Sequence, residues 1–159
     1  MTSGARRLLH LLEIATVGLP FCAFKFLTGG VLLGMGAWRP LGWVMLALGA
    51  VDLVLNLANF SLAILGRESP VAVCMAQFVC GALRRGAESW RQLGLSVDAM
   101  LSFTLVAVMV GFGLLARLSR ADMGLWSLSV VLNVLGAGLG RLAETVVALR
   151  RDAVGTANP

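Results

Sequence analysis

Residues 48–67 read LGAVDLVLNLANFSLAILGR, an almost unbroken apolar run that carries Asp52, Asn56 and Asn59 at i, i+4 and i+7. At 3.6 residues per turn this spacing puts the acid and both amides on one face of a helix. The run is long enough to cross a bilayer, which takes about 20 residues. A polar stripe in such a helix needs partners or water, because a charge at the centre of a spanning helix costs roughly 2.5–3.5 kcal/mol on insertion scales.

The rest of the chain has the same character. Of its 159 residues, 58% are hydrophobic and 13% charged, and the mean hydropathy is +0.89. Soluble domains carry about 25% charged residues. Polar surface this scarce cannot cover a soluble globule, so the class is integral membrane, with residues 1–159 forming one membrane domain. The apolar runs are continuous and lack the period-2 alternation of a membrane barrel, which makes the fold all-α.

Four stretches are long enough to span: 14–37, 41–65, 93–116 and 124–149. Short turns, WRPLGW (38–43) and RLSRADMG (117–124), join them into two antiparallel transmembrane hairpins, a four-helix bundle. Trp38, Trp43 and Trp126 would then lie at one interface and Trp90 near the other, as an aromatic belt. Arg6 and Arg7 before LLHLL resemble the charged region of a signal peptide. Glu13 interrupts the apolar run, however, and no small-x-small site follows, so the segment is expected to be a retained first span.

The net charge of +5 does not argue for nucleic acid, because the basic residues sit in short segments between apolar stretches. There they set orientation. Arg6, Arg7, Arg67, Arg84, Arg85, Arg91, Arg150 and Arg151 would lie on one side, and Arg39, Arg117 and Arg120 on the other. That asymmetry places both termini in the cytoplasm, in a membrane of the bacterial inner (plasma) type.

Residues 70–92 fit none of the four spans. Ser69–Pro70 is a sound helix start, but the apolar run 71–83 is short and flanked by charge. The expectation is a cytoplasmic interfacial or re-entrant helix; a fifth crossing is the alternative and would put the C-terminus outside. Residues 150–159 are expected to form a flexible tail. A shift of 77 residues aligns VLN (54–56) with VLN (131–133) and Gly34-x-Gly36 with Gly111-x-Gly113, a faint sign of a duplicated hairpin.

The best candidate partner for Asp52 is Lys25, the one lysine in the chain. Each lies 13–14 residues from the centre of the first turn, near Trp38–Arg39. At 1.5 Å per residue both are about 20 Å from it, in one layer of the hairpin. They form either a structural ion pair that fixes how two helices mate, or a proton or ion site. Asn56 and Asn59 extend this face, and Asn133 lies deeper in the last span, on a stripe with Gly136, Gly140 and Glu144.

In the second hairpin, counting from a turn centred near Arg120–Ala121 puts Asp98, Arg141 and Glu144 together near the cytoplasmic boundary, a charge cluster suited to anchoring or snorkelling. Gly30-x3-Gly34 and Gly136-x3-Gly140 are the candidate helix-packing glycines. Pro20 cannot donate to the Thr16 carbonyl and should kink the first helix.

No catalytic constellation or metal site stands out. Cys22, Cys74 and Cys80 have no CxxC spacing and are expected to be small apolar filler. The single histidine, His10, excludes a bis-histidine haem, and no phosphate loop, HExxH or nucleophile elbow occurs. The expected chain is therefore not an enzyme and carries no cofactor; its partners are the lipid bilayer and copies of itself or other membrane subunits. It reads as a non-catalytic subunit, assembly factor or scaffold. The alternative is a small oligomeric transporter or channel that uses the polar seam. A dry seam would disfavour transport; a hydrated one would favour it.

Overall fold

The computed structural model describes residues 8, 11–12, 14–67, 74–83 and 88–155. Among them there are helices and turns and no strand. A π-helical turn, Ile14–Gly18, leads into helix α1, Leu19–Leu33. A 3-10 turn, Gly36–Trp38, leads into α2, Arg39–Ile64. Helices α3 (Met75–Leu83) and α4 (Glu88–Gly111) follow. A second 3-10 turn, Leu114–Arg117, precedes α5, Arg120–Gly155. Two helical stretches, Ile14–Leu33 and Gly36–Ile64, are long and apolar enough to cross a membrane; Ser96–Gly111 is a shorter apolar helix.

The punctuation has local causes. Pro20 lacks the N–H that would continue a regular ladder, and the π turn falls immediately before it. Gly66, at φ 73°, closes α2: its N–H bonds the Ala63 carbonyl and the Arg67 N–H reaches back to Leu62 at 3.0 Å. Ser119 caps α5, accepting the Asp122 N–H at 3.1 Å while its hydroxyl donates to the Asp122 carboxylate at 2.7 Å.

Helix α1 is the central element. It packs against α2 on one side and α5 on another, while α3 pairs with α4 and touches α2. The α1–α2 contact is close because glycines line it. A Cβ on Gly42 would come within 2.8 Å of the Leu33 backbone nitrogen, and one on Gly29 within 3.1 Å of the Gly42 carbonyl oxygen. Gly94 plays the same part in α4, where a Cβ would lie 2.6 Å from the Gln77 Cα. The apolar core joins Phe24, Leu32, Met45, Leu105, Met109 and Trp126 from α1, α2, α4 and α5.

Several expectations need correction. Residues 70–92 are not one straight helix: Met75–Leu83 form α3 and 88–92 belong to α4, which folds back so that Gly94 meets Gln77, while the Ser69–Pro70 start lies outside the described residues. Helix α4 stops at Gly111, short of 116, because Gly113 adopts the left-handed φ of 64° and the chain turns there. The tail is helical as far as Gly155. No Gly or Pro interrupts 141–154, and good helix formers dominate. Trp126 belongs to the core, 3% exposed, and not to an aromatic belt; Trp38 and Trp43 are exposed.

The glycine assignment also shifts. A Cβ on Gly30 would meet nothing within 4 Å, and one on Gly34 only its own helix's Val31 carbonyl at 3.4 Å, so neither packs against another described helix of this chain. Their faces point away from α2, whereas Gly29 points into it. Gly136 does sit at a contact, where a Cβ would strike Val17 and approach Thr16 Oγ1 at 3.2 Å. The surroundings of Gly140 lie outside the described part.

Candidate functional site

The π turn, α1, α2, α4 and the start of α3 converge on a buried polar joint. Lys25 is 1% exposed, Asp52 and Asn59 are 0% and Asn56 is 1%. Lys25 projects from α1 toward α2. Gly49 lies directly opposite, where a Cβ would stand 3.2 Å from the Lys25 Cβ, and this lets the lysine stem lie close against α2. Its Nζ donates to Asp52 Oδ2 and, at 3.1 Å, to Asp98 Oδ1. The same ammonium sits 4.0 Å from the centroid of the Phe21 ring, one helical turn earlier on α1.

Asp52 has a second donor. The Met75 N–H, at the first turn of α3, bonds Asp52 Oδ1 at 2.7 Å. The first N–H groups of a helix lack intrahelical partners, and a carboxylate suits the positive end of the helix dipole. Asp52 therefore caps α3 from another helix. This places the start of α3 level with the middle of α2, and the chain has returned by Met75 from the end of α2 at Ile64. The Cys74 side chain, 3% exposed, lies against Asp98.

The amides complete the face. Asn56 Nδ2 donates to the Asp52 carbonyl at 2.8 Å and approaches the Cys22 sulfur at 4.0 Å. Its side chain rests on the backbone of Gly18, where a Cβ would overlap the Asn56 amide. Asn59 is fully buried one turn further along. Asn133 is half-buried on α5. There Trp126 pairs with Thr28 and Gly136 with Thr16, a register that puts Asn133 near the Pro20 turn and away from Lys25.

The structure brings together Lys25, Asp52 and Asp98. The expected place for Asp98, beside Arg141 and Glu144 at a membrane boundary, is corrected. The earlier count ran to Arg120–Ala121, but α4 ends at Gly111. Measured to that end, Asp98 is thirteen residues away, as Lys25 is from Trp38 and Asp52 from Arg39. The three charges therefore share one layer. Gly111-x-Gly113 was the signal in the sequence that could have placed the turn correctly. The side chains of Arg141 and Glu144 lie outside the described part.

Three contributors had no sequence signal strong enough to single them out: the Met75 backbone, the Phe21 ring, and the Thr28–Trp126 pair. The Trp126 indole N–H donates to Thr28 Oγ1 at 3.1 Å, and its ring packs 5.6 Å from that of Phe24. Beside this pair lies an apolar cavity of about 190 Å³ between α1, the start of α2 and α4, lined by Thr28, Leu32, Trp38, Leu41, Leu105 and Met109 among others. Cys22, Cys74 and Cys80 are all free thiols, the first two buried. Among the described residues no group of three or more His, Cys, Asp or Glu is placed to hold a metal ion.

Chemically, the joint ties three helices through one ammonium and a fourth through the Asp52 carboxylate. The side chains of Lys25 and Asp52 are almost fully shielded, and only Asp98, 14% exposed, reaches the outside. The chain matches no known family model, no curated protein and no solved structure.

Proposed function

We propose that this chain is a non-catalytic, multi-pass membrane protein that serves as a subunit, assembly factor or scaffold of a membrane complex. In this reading α1, α2, α4 and α5 are four spans of a bacterial-type inner membrane, with both termini in the cytoplasm. Helix α3 is then the returning arm of a re-entrant segment: it starts in the middle of the bilayer and runs back toward the cytoplasmic side. Backbone polar groups at that depth need protein partners, and Asp52 supplies one to Met75.

The observation that carries this reading is the closure of the Asp52 face. Asp52, Asn56, Asn59 and Lys25 are each at most 1% exposed. A dry, bonded seam locks helices together and leaves no aqueous path along it. The outward faces supply the rest: Val54, Ile64, Met100, Phe103, Leu128 and Leu139 are exposed large apolar residues on α2, α4 and α5, suited to lipid or to a neighbouring membrane helix.

The experiment is reconstitution of the purified protein in liposomes with measurement of ion flux. The expected result is flux no greater than in protein-free vesicles, from a protein that leaves its native membrane in a species larger than a monomer. Flux above background that Asp52→Asn abolishes would overturn it. One observation favours the second reading, a small oligomeric transporter: the joint holds two carboxyl groups for one ammonium. A reporter at the C-terminus tests the four-span arrangement separately, and a C-terminus outside the cytoplasm would refute it.

A further inference from the structure

Among the described residues, the joint is not balanced in charge. The Lys25 ammonium faces the carboxyl groups of both Asp52 and Asp98. Among the described residues, the remaining titratable groups that face it are thiols, Cys22 on α1 and Cys74 ahead of α3. On α2 the charged residues other than Asp52 are Arg39 at the start and, just past the end, Arg67. On α5, Arg120 and Asp122 precede Trp126, which itself bonds Thr28, and so lie farther still from Lys25. An excess negative charge in a shielded site is costly unless something cancels it.

The two carboxyl groups are not equivalent. Asp52 is fully buried and takes an ionic donor on one oxygen and a helix N–H on the other. Both oxygens are therefore satisfied as an anion. Asp98 receives the same ammonium at 3.1 Å on Oδ1 only, and its side chain is 14% exposed.

We propose that the Lys25–Asp52–Asp98 joint is a proton-binding site: Lys25 and Asp52 form the fixed ion pair, and Asp98 carries a proton that exchanges through its exposed edge. Proton and charge then balance, with one ammonium, one carboxylate and one neutral acid. As an acid, Asp98 keeps Oδ1 as the acceptor for Lys25 and presents an O–H on Oδ2. This goes beyond the scaffold reading and does not depend on it, because a structural joint and a transport site would both hold the proton.

The test is infrared spectroscopy of the full chain in lipid nanodiscs at neutral pH. The wild-type protein should show the C=O stretch of a neutral carboxylic acid, shifted in D2O and lost in Asp98→Asn. Absence of that band in wild type would overturn the proposal, as would its survival in Asp98→Asn with loss in Asp52→Asn. Should Asp98→Asn not fold, NMR of wild-type protein labelled with ¹³C at its four aspartates decides the matter. One neutral carboxyl signal coupled through space to the Lys25 side chain is expected, and four ionised carboxylates would refute the site.

Discussion

Lys25 on α1 donates to Asp98 on α4 at 3.1 Å, across 73 residues of chain, while the same ammonium holds Asp52 on α2. One side chain thus joins three helices, and the Asp52 carboxylate extends the joint to the first turn of a fourth. Removing the central cation should cost far more than removing any peripheral bond.

Lys25→Met strips the ammonium and leaves two buried carboxyl groups facing each other. Breaking a buried pair on one side costs about 3–5 kcal/mol. The expected outcome is loss of the folded protein, or a large drop in its denaturation midpoint in detergent. The triple variant Lys25→Met, Asp52→Asn, Asp98→Asn removes all three ionisable groups and should recover a substantial part of that loss. No recovery would mean that charge is not what destabilises the single variant.

The glycines separate into two groups that one substitution each can distinguish. Gly42→Ala forces a methyl to within 2.8 Å of the Leu33 backbone nitrogen, so the hairpin must open. Overpacking of this kind costs about 1–3 kcal/mol. Gly30→Ala meets nothing within 4 Å and should be neutral, or stabilising by roughly 0.5–1 kcal/mol through helix propensity. Thermal unfolding of both variants in detergent checks the contrast; equal effects would contradict the packing.

Thr28→Val keeps the shape of the side chain but removes the acceptor for the Trp126 indole. A buried donor left without its partner costs about 1–3 kcal/mol. Trp126→Phe should then cost less in this background than in wild type, because the bond is already gone. A double-mutant cycle read by detergent denaturation measures this coupling, and strict additivity would show that the bond is not formed.

Thiol labelling reports burial directly. Cys22 and Cys74 are buried and Cys80 is half-buried. In the folded protein a maleimide should modify Cys80 first and leave the other two unreacted until the protein is denatured. Rapid labelling of Cys74 would place the start of α3 in water and break its contact with Asp52.

The sequence by itself determined the all-helical class, the apolar stretches Ile14–Leu33 and Gly36–Ile64, and the joining of the first two helices by a tight turn. It also marked Lys25 and Asp52 as members of one layer, because the two residues flank that short turn symmetrically and a helix rises by a constant amount per residue. Only the tertiary structure decided what else reaches that layer. The error over Asp98 came from a turn that begins at Phe112 and runs through a 3-10 segment to Ser119, so that counting from Arg120–Ala121, already past its end, displaced the residue by more than two helical turns. Trp126 looked like an interface anchor because residue type does not reveal which face of α5 meets α1. Gly30 and Gly34 looked like packing residues by spacing, yet the contact falls one position earlier, on Gly29. The Met75 N–H carries no sequence signal at all, since every residue but proline has one and only its arrival beside Asp52 makes it matter. Periodicity and length are local properties of a chain. Which faces meet, and which charge satisfies which, is settled by how the five helices pack on one another.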